Sequence, residues 1–245
     1  MSPLDMFSAS ADEKSQYLAL RERFGTLMSA CFESLMSDEV RSMARRLNLH
    51  PGEVLKHYSV EVALYDAAVF HARRGGETAV ARMLRNLPAE VPPLDRMIVS
   101  AWQQHRWSVF AVTSLHRGMD VGLRDTLDGT ELTVRDLDLA ASARIGDRLA
   151  CRIVPIEDLW LTTGAAFWLD EDIHTLIRAH LPAERQAVQA WPARGTLERE
   201  DLTLRLITAL LAGPPQATSA VEPPRKRPCP CGSGKKYKHC CGKGR

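Results

Sequence analysis

Apolar residues recur at three- and four-residue spacings along the first hundred positions and at closer, alternating spacings after that. Leu18, Phe24, Leu27, Cys31, Leu35 and Met36 mark one helical face within a helical stretch running from about Asp12 to Leu49. Ser37-Asp38 offers a cap for a second short helix through Leu47, and His50-Pro51-Gly52 breaks it. Helical spacing resumes from Glu53 to His71 through Val54, Leu55, Tyr58, Val62, Tyr65, Ala68 and Val69. Gly75-Gly76 interrupts it, and Glu77 to Leu87 reads as a further short helix. After Pro88 and Pro92-Pro93, Leu94 to Gln104 completes the helical half.

Near Trp107 the period changes. Trp107 to Leu115 is rich in β-branched and aromatic residues, which suit strands. Arg117-Gly118 turns the chain into Met119 to Leu123, and Asp128-Gly129 is a hairpin signal before Glu131 to Arg135. Arg148 to Val154 largely alternates, and Leu159 to Thr163 and Ala166 to Leu169 follow, split by Gly164. Five or six short strands at this spacing predict a small antiparallel barrel or curled sheet over about 107–169. Helical patterning returns at Asp170 to His180 and Leu197 to Leu211. The fold class is therefore α+β: N-terminal helices over 12–105, a compact β unit, then C-terminal helices over 170–211. Residues 213–224 contain four prolines and little apolar bulk, and predict a linker between a 1–212 body and a 225–245 tail.

Composition changes this picture mainly through charge. The chain has 245 residues, 45% apolar and 25% charged, ordinary values for a globular protein. Its net charge of +2 hides a split. The tail from Arg225 onward holds eight basic and no acidic residues, leaving the body with 24 basic against 30 acidic residues. A mildly acidic body carrying a basic tail points to an anionic partner for the tail. No apolar run is long enough to predict a membrane span, and no signal-peptide pattern opens the chain. The expected location is the reducing cytoplasm, where stable disulfides are rare.

The tail reads Cys229-Pro-Cys231, eight residues, then Cys240-Cys241. Four close cysteines in a reducing compartment fit a metal better than disulfides, and four soft thiolates in a tetrahedron suit zinc. Tyr237 is the segment's only large apolar side chain, so metal binding must supply most of its folding energy, on the order of 10 kcal/mol. Four protein ligands leave no open position, which marks a structural site. Around them stand Arg225, Lys226, Arg227, Lys235, Lys236, Lys238, Lys243 and Arg245, the expected anion-binding residues. With four thiolates on zinc contributing about −2, the tail keeps roughly +6.

The run Cys-Pro-Cys-Gly-Ser-Gly-Lys-Lys-Tyr-Lys-His-Cys-Cys-Gly resembles the SEC-C motif, named for the C-terminal zinc tail of the bacterial export ATPase SecA. The resemblance covers about 15 residues and implies zinc at Cys229, Cys231, Cys240 and Cys241. It also implies docking onto an acidic chaperone surface or onto the ribosome. The same tail occurs on many otherwise unrelated bacterial proteins, so it does not imply a translocase.

Other candidates carry less. Gly232-Ser-Gly-Lys-Lys236 lacks the P-loop pattern: Cys229 stands at the first glycine and Lys236 at the Ser/Thr position, so no nucleotide site is recognised. Asp170-Glu-Asp-Ile-His174 sits where a helix should start, and acidic residues there meet the helix dipole. Asp120, Asp125 and Asp128 fall in expected turns. His50, His57, His71, His105, His116 and His180 show no metal spacing and read as structural, and Cys31 and Cys151 as buried thiols. Arg144, Arg148 and Arg152 share a spacing of four, but a strand begins between them. Together these readings predict a non-catalytic adaptor whose zinc tail meets an acidic protein or ribosomal RNA. The alternative is a nucleic-acid-binding protein, or an enzyme of unrecognised type, acting through the body.

Overall fold

The computed structural model describes residues 11–50, 58–116, 118–169 and 196–212. The expected helical segments at 53–57 and 170–180, the linker and the whole tail lie outside them.

Among the described residues, five helices precede the strands: α1 (Ala11–Glu33), α2 (Ser37–Arg46), α3 (Tyr58–His71), α4 (Ala79–Asn86) and α5 (Pro93–Trp102). Local chemistry sets their starts. Thr78 caps α4 by accepting from the Ala81 N–H at 3.2 Å. Pro93 opens α5, where its missing N–H costs nothing. The cap of α2 differs from the expected Ser37-Asp38: Met36 holds the cap position, and its N–H donates to Glu39 Oε2 at 3.0 Å. A carboxylate three residues on can satisfy that donor from within the helix.

The strands are β1 (Arg106–His116), β2 (Asp120–Asp125), β3 (Glu131–Arg135), β4 (Arg148–Ile156) and β5 (Leu159–Leu169), with a short helix α6 (Leu137–Ser142) between β3 and β4. The last described helix is α7 (Thr196–Ala212). The strands close into a barrel in the order β1-β2-β3-β5-β4, with β4 returning to β1. That order, with a helix between β3 and β4, is the connectivity of the OB-fold. The expected β unit is present, with one difference: β3 and β5 pair in parallel, at Val134 and Trp160, so the sheet is mixed. Asp136 starts α6, a helix beyond those expected from the residue pattern, by accepting the Leu139 N–H at 2.9 Å. Asp120 and Asp125 bound β2 instead of sitting in turns; Asp125 accepts the Leu127 N–H at 2.7 Å and so shapes the hairpin that follows.

β5 is one strand, not two. Between the pairs Cys151–Ala166 and Ile153–Thr162, β4 places Arg152 alone opposite Thr163-Gly164-Ala165. Gly164 absorbs this bulge at φ 100°, a conformation open to glycine.

β4 is buried on both sides. Leu149, Cys151 and Ile153 fill the barrel with Phe110, Val121, Leu123 and Val134. Ala150 and Val154 face the other way, into two apolar clusters shared with the helices. α3 lies across this seam and is buried nearly all round, with Ala63, Ala67 and Ala68 allowing close approach. On one side it meets Met43, Leu47, Trp107 and Ile207, and on the other Phe24, Ile98 and Trp102. The barrel is thus clasped along β1, β4 and β5, while β2 and β3 face outward.

Leu149 packs the barrel interior with no exposed surface. Leu149→Ala is expected to cost ~2–5 kcal/mol, read as a lower urea midpoint at unchanged slope.

Candidate functional site

At the centre of the helix–barrel seam a charged side chain has no exposure at all. Arg152 is 0% and Asp66 5% exposed. Strand alternation turns Arg152 out of the barrel toward α3. Its Nε donates to both Asp66 oxygens at 3.2 and 3.0 Å, and Nη2 donates to Oδ2 at 2.8 Å. Nη1 donates to His105 Nδ1 at 2.7 Å and Nη2 to His71 Nε2 at 3.1 Å. The Phe70 ring covers the guanidinium at 4.2 Å. Thr163, in the β5 bulge opposite Arg152, donates to Asp66 Oδ1 at 3.2 Å.

A guanidinium has no acceptor, so each contacting imidazole nitrogen must present its lone pair. His105 is therefore the Nε2–H tautomer and His71 the Nδ1–H tautomer, both neutral. Burial, and secondarily the charge of Arg152, holds both imidazoles well below their usual titration range. The cluster is saturated: charge meets charge, and both rings serve as acceptors. It positions elements and offers no reacting atom. Burial also pushes the Cys31 thiol up to about 12 and raises that of Cys151, so neither is a ready nucleophile. Among the described residues, no group of His, Cys, Asp and Glu is arranged to hold a metal.

A second polar tie joins α1 to the barrel rim. Arg21 donates to the Thr162 carbonyl and, at 3.0 Å, to its Oγ1. Thr162 in turn donates to Asp136, and the buried Tyr17 hydroxyl is pushed up to about 12 by burial and by Asp136.

The outward β2–β3 face has little to offer a polyanion. Arg124 stands opposite Glu131, Gly122 opposite Thr133, and Asp120 opposite Arg135. Arg135 grips Asp120 through Nε at 2.6 Å and Nη2 at 2.9 Å. These three registers cancel in charge and carry no aromatic platform for bases.

The residues expected to carry function from sequence all fall outside the described residues: Cys229, Cys231, Cys240, Cys241 and the eight basic residues from Arg225 to Arg245. So do Asp170 to His174. Among the scattered histidines, His71 and His105 meet at Arg152. Of Arg144, Arg148 and Arg152 only the last reaches this cluster. The one signal in the sequence was a lone Asp, Asp66, within the apolar run of α3.

The molecule is thus a helix-clasped five-stranded barrel followed by a cysteine tail. The model of a family of unknown function, DUF7986, matches residues 11–188, and the chain belongs to that family. The SEC-C motif matches residues 225–243. The curated relatives match over this tail region. Protein translocase subunit SecA of Nitratiruptor sp. is 82% identical over 22 residues, 9% of this chain and 2% of that protein. SecA of Dehalococcoides mccartyi is 60% identical over 37 residues, 15% of this chain and 4% of that protein. SecA of Treponema pallidum is 63% identical over 35 residues, 14% and 4% respectively. The chain thus spans only a few per cent of the length of these relatives. No solved structure matches. No helix among the described residues is long and apolar enough to cross a membrane.

The neutral histidines make stability depend on pH. Unfolded, each imidazole takes a proton near pH 6.5; folded, it resists to much lower pH. Stability is full above about pH 6.5 and falls as pH drops, by up to ~1.4 kcal/mol per unit for each ring. Urea midpoints between pH 7 and 5 should show this slope, and His105→Gln, which keeps an acceptor that does not titrate, should roughly halve it. Asp66→Asn strands the buried guanidinium and is expected to cost ~3–5 kcal/mol.

Proposed function

We propose that the chain is a zinc-binding, non-catalytic adaptor of the cytoplasm, whose SEC-C tail docks onto an anionic partner while the barrel and helices hold a fixed scaffold. The observation that carries this reading is the tail itself: a SEC-C match enclosing Cys229, Cys231, Cys240 and Cys241, coated by eight cations with no acidic residue among them. Four thiolates fit tetrahedral zinc and leave no position for substrate water. Zinc there supplies folding energy, fixing Lys235, Lys236 and Lys238 on one small unit. The likeness to SecA tails supports a docking role, with an acidic protein surface or ribosomal RNA as the partner class.

The body supports this reading by its chemistry. Its central charged cluster is saturated and its buried thiols are protonated, so it serves as a platform. Residues 213–224 tether the tail to α7, and a short tether raises the effective concentration of a second contact once the first has formed.

The purified chain is expected to carry one zinc per molecule, lost on joint Cys240→Ser and Cys241→Ser substitution. Partner capture should vanish with it. Zinc-free protein that captures the same partners as the intact chain would overturn the adaptor role.

A further inference from the structure

Most of the body's described arginines are matched by carboxylates, and three that are not lie at one corner. At the corner where α2, the α3–α4 turn and α7 meet, Glu200 is clamped by two guanidiniums. Arg73 Nη2 lies 2.6 Å from Oε2, and Arg46 Nη1 lies 3.4 Å from Oε1. On α4, Arg82 is matched by Glu39 at 2.8 Å, and Arg85 by Glu77. Three more arginines flank this clamp with no carboxylate partner among the described residues. Arg45 adjoins Arg46, Arg41 lies one turn before it on the same face of α2, and Arg74 adjoins Arg73. All three are exposed, and among the described residues none has a side-chain partner. Asp38, the exposed acid at the start of α2, pairs with none of them.

Arg74 is also held in place. Arg74 and Glu77 exchange backbone hydrogen bonds at 2.9 and 3.2 Å, with Gly75 and Gly76 at φ 61° and 86° between them. Positive φ at both central residues is the mark of a two-residue hairpin connection. In a body with more acidic than basic residues, a group of unmatched guanidiniums on a helix and a hairpin runs against the overall charge.

We infer that this corner is a second anion-contact surface and that its ligand is the phosphodiester backbone of RNA. The guanidinium is a planar fork suited to bidentate phosphate contacts. Among the described residues, the exposed positions beside these arginines include Ser42, Asn48, Gly75 and Gly76, which offer no apolar anchor of the kind a protein interface needs. The corner also communicates with the tail. Glu200 belongs to α7, whose last residue, Ala212, lies about 18 Å further along the helix. The twelve-residue tether adds at most about 40 Å. One folded RNA can therefore touch corner and tail together. This bivalence rests on the tail reading proposed above; the corner itself does not.

The test uses the full zinc-loaded chain. The triple variant Arg41→Gln, Arg45→Gln, Arg74→Gln should keep its thermal midpoint, since these side chains hold nothing in the fold. Its affinity for a hairpin RNA should fall on the order of tenfold, and the slope of log K against log salt should become shallower by about 2 to 3. Arg124→Gln, an equally exposed arginine on β2 that lies outside this corner and stands opposite Glu131 in register, should leave both unchanged. If the triple variant keeps the affinity and slope of the natural chain, or if the natural chain fails to bind RNA, the inference is overturned. An equal loss of binding to poly-glutamate overturns the assignment to phosphodiester. The Cys240→Ser, Cys241→Ser variant separates the two readings. Binding lost only there leaves the tail standing and removes the corner; binding lost only in the triple variant does the reverse.

Discussion

The ion pair between Arg152 and Asp66 is the contact on which the body depends. Each group alone would be costly in the seam between helices and barrel. Together, with two imidazoles accepting and Thr163 donating, they make the seam polar at one point and apolar elsewhere. A buried pair of this kind adds little net stability compared with apolar packing, but it is unforgiving of misplacement. Apolar surfaces of α3 and β4 would tolerate sliding past each other. The five-residue cluster does not, so it fixes the register of helix against strand. The β5 bulge belongs to the same constraint, because its displaced Thr163 completes the coordination of Asp66.

Much of the fold was legible from residue order. Helical spacing located the helices to within a few positions, and the change of period at Trp107 located the barrel. The closure was not legible. A parallel β3–β5 pair depends on how strands meet in space, and nothing at Val134 or Trp160 announces it. The cap at Met36 was missed because its donor is satisfied by a side chain three residues on. Gly164 read as a break because glycine marks bulges and turns alike. The charged cluster was the hardest to see. Asp66, His71, His105 and Arg152 are spread over nearly ninety positions, and each is unremarkable alone. The cysteine tail was legible for the opposite reason: its ligands are contiguous, so spacing carries the chemistry.

Basic residues divide by type as well as by place. Of the seven lysines, five lie in the tail, whereas 22 of the 25 arginines precede residue 225. The difference follows from hydration and shape. A planar, weakly hydrated guanidinium can be buried against carboxylates, as at Arg152, Arg82 and Arg135. An ammonium holds its water and suits a surface that must stay open. The body uses its cations chiefly to bind itself together, and the tail keeps its cations for something else.

The separation of the central pair along the chain has a consequence for synthesis. Asp66 and Arg152 are 86 residues apart. At ribosomal rates of about 5–20 residues per second, roughly 4 to 17 seconds pass between making one and making the other. During that interval α3 carries a carboxylate with no counter-ion on a helix otherwise built to be buried. The nascent helices can collapse against one another but cannot settle, because the strand that neutralises them has yet to emerge. Final packing of the N-terminal half therefore waits for β4 and β5, and an early pause in translation would prolong the exposure of its apolar surface.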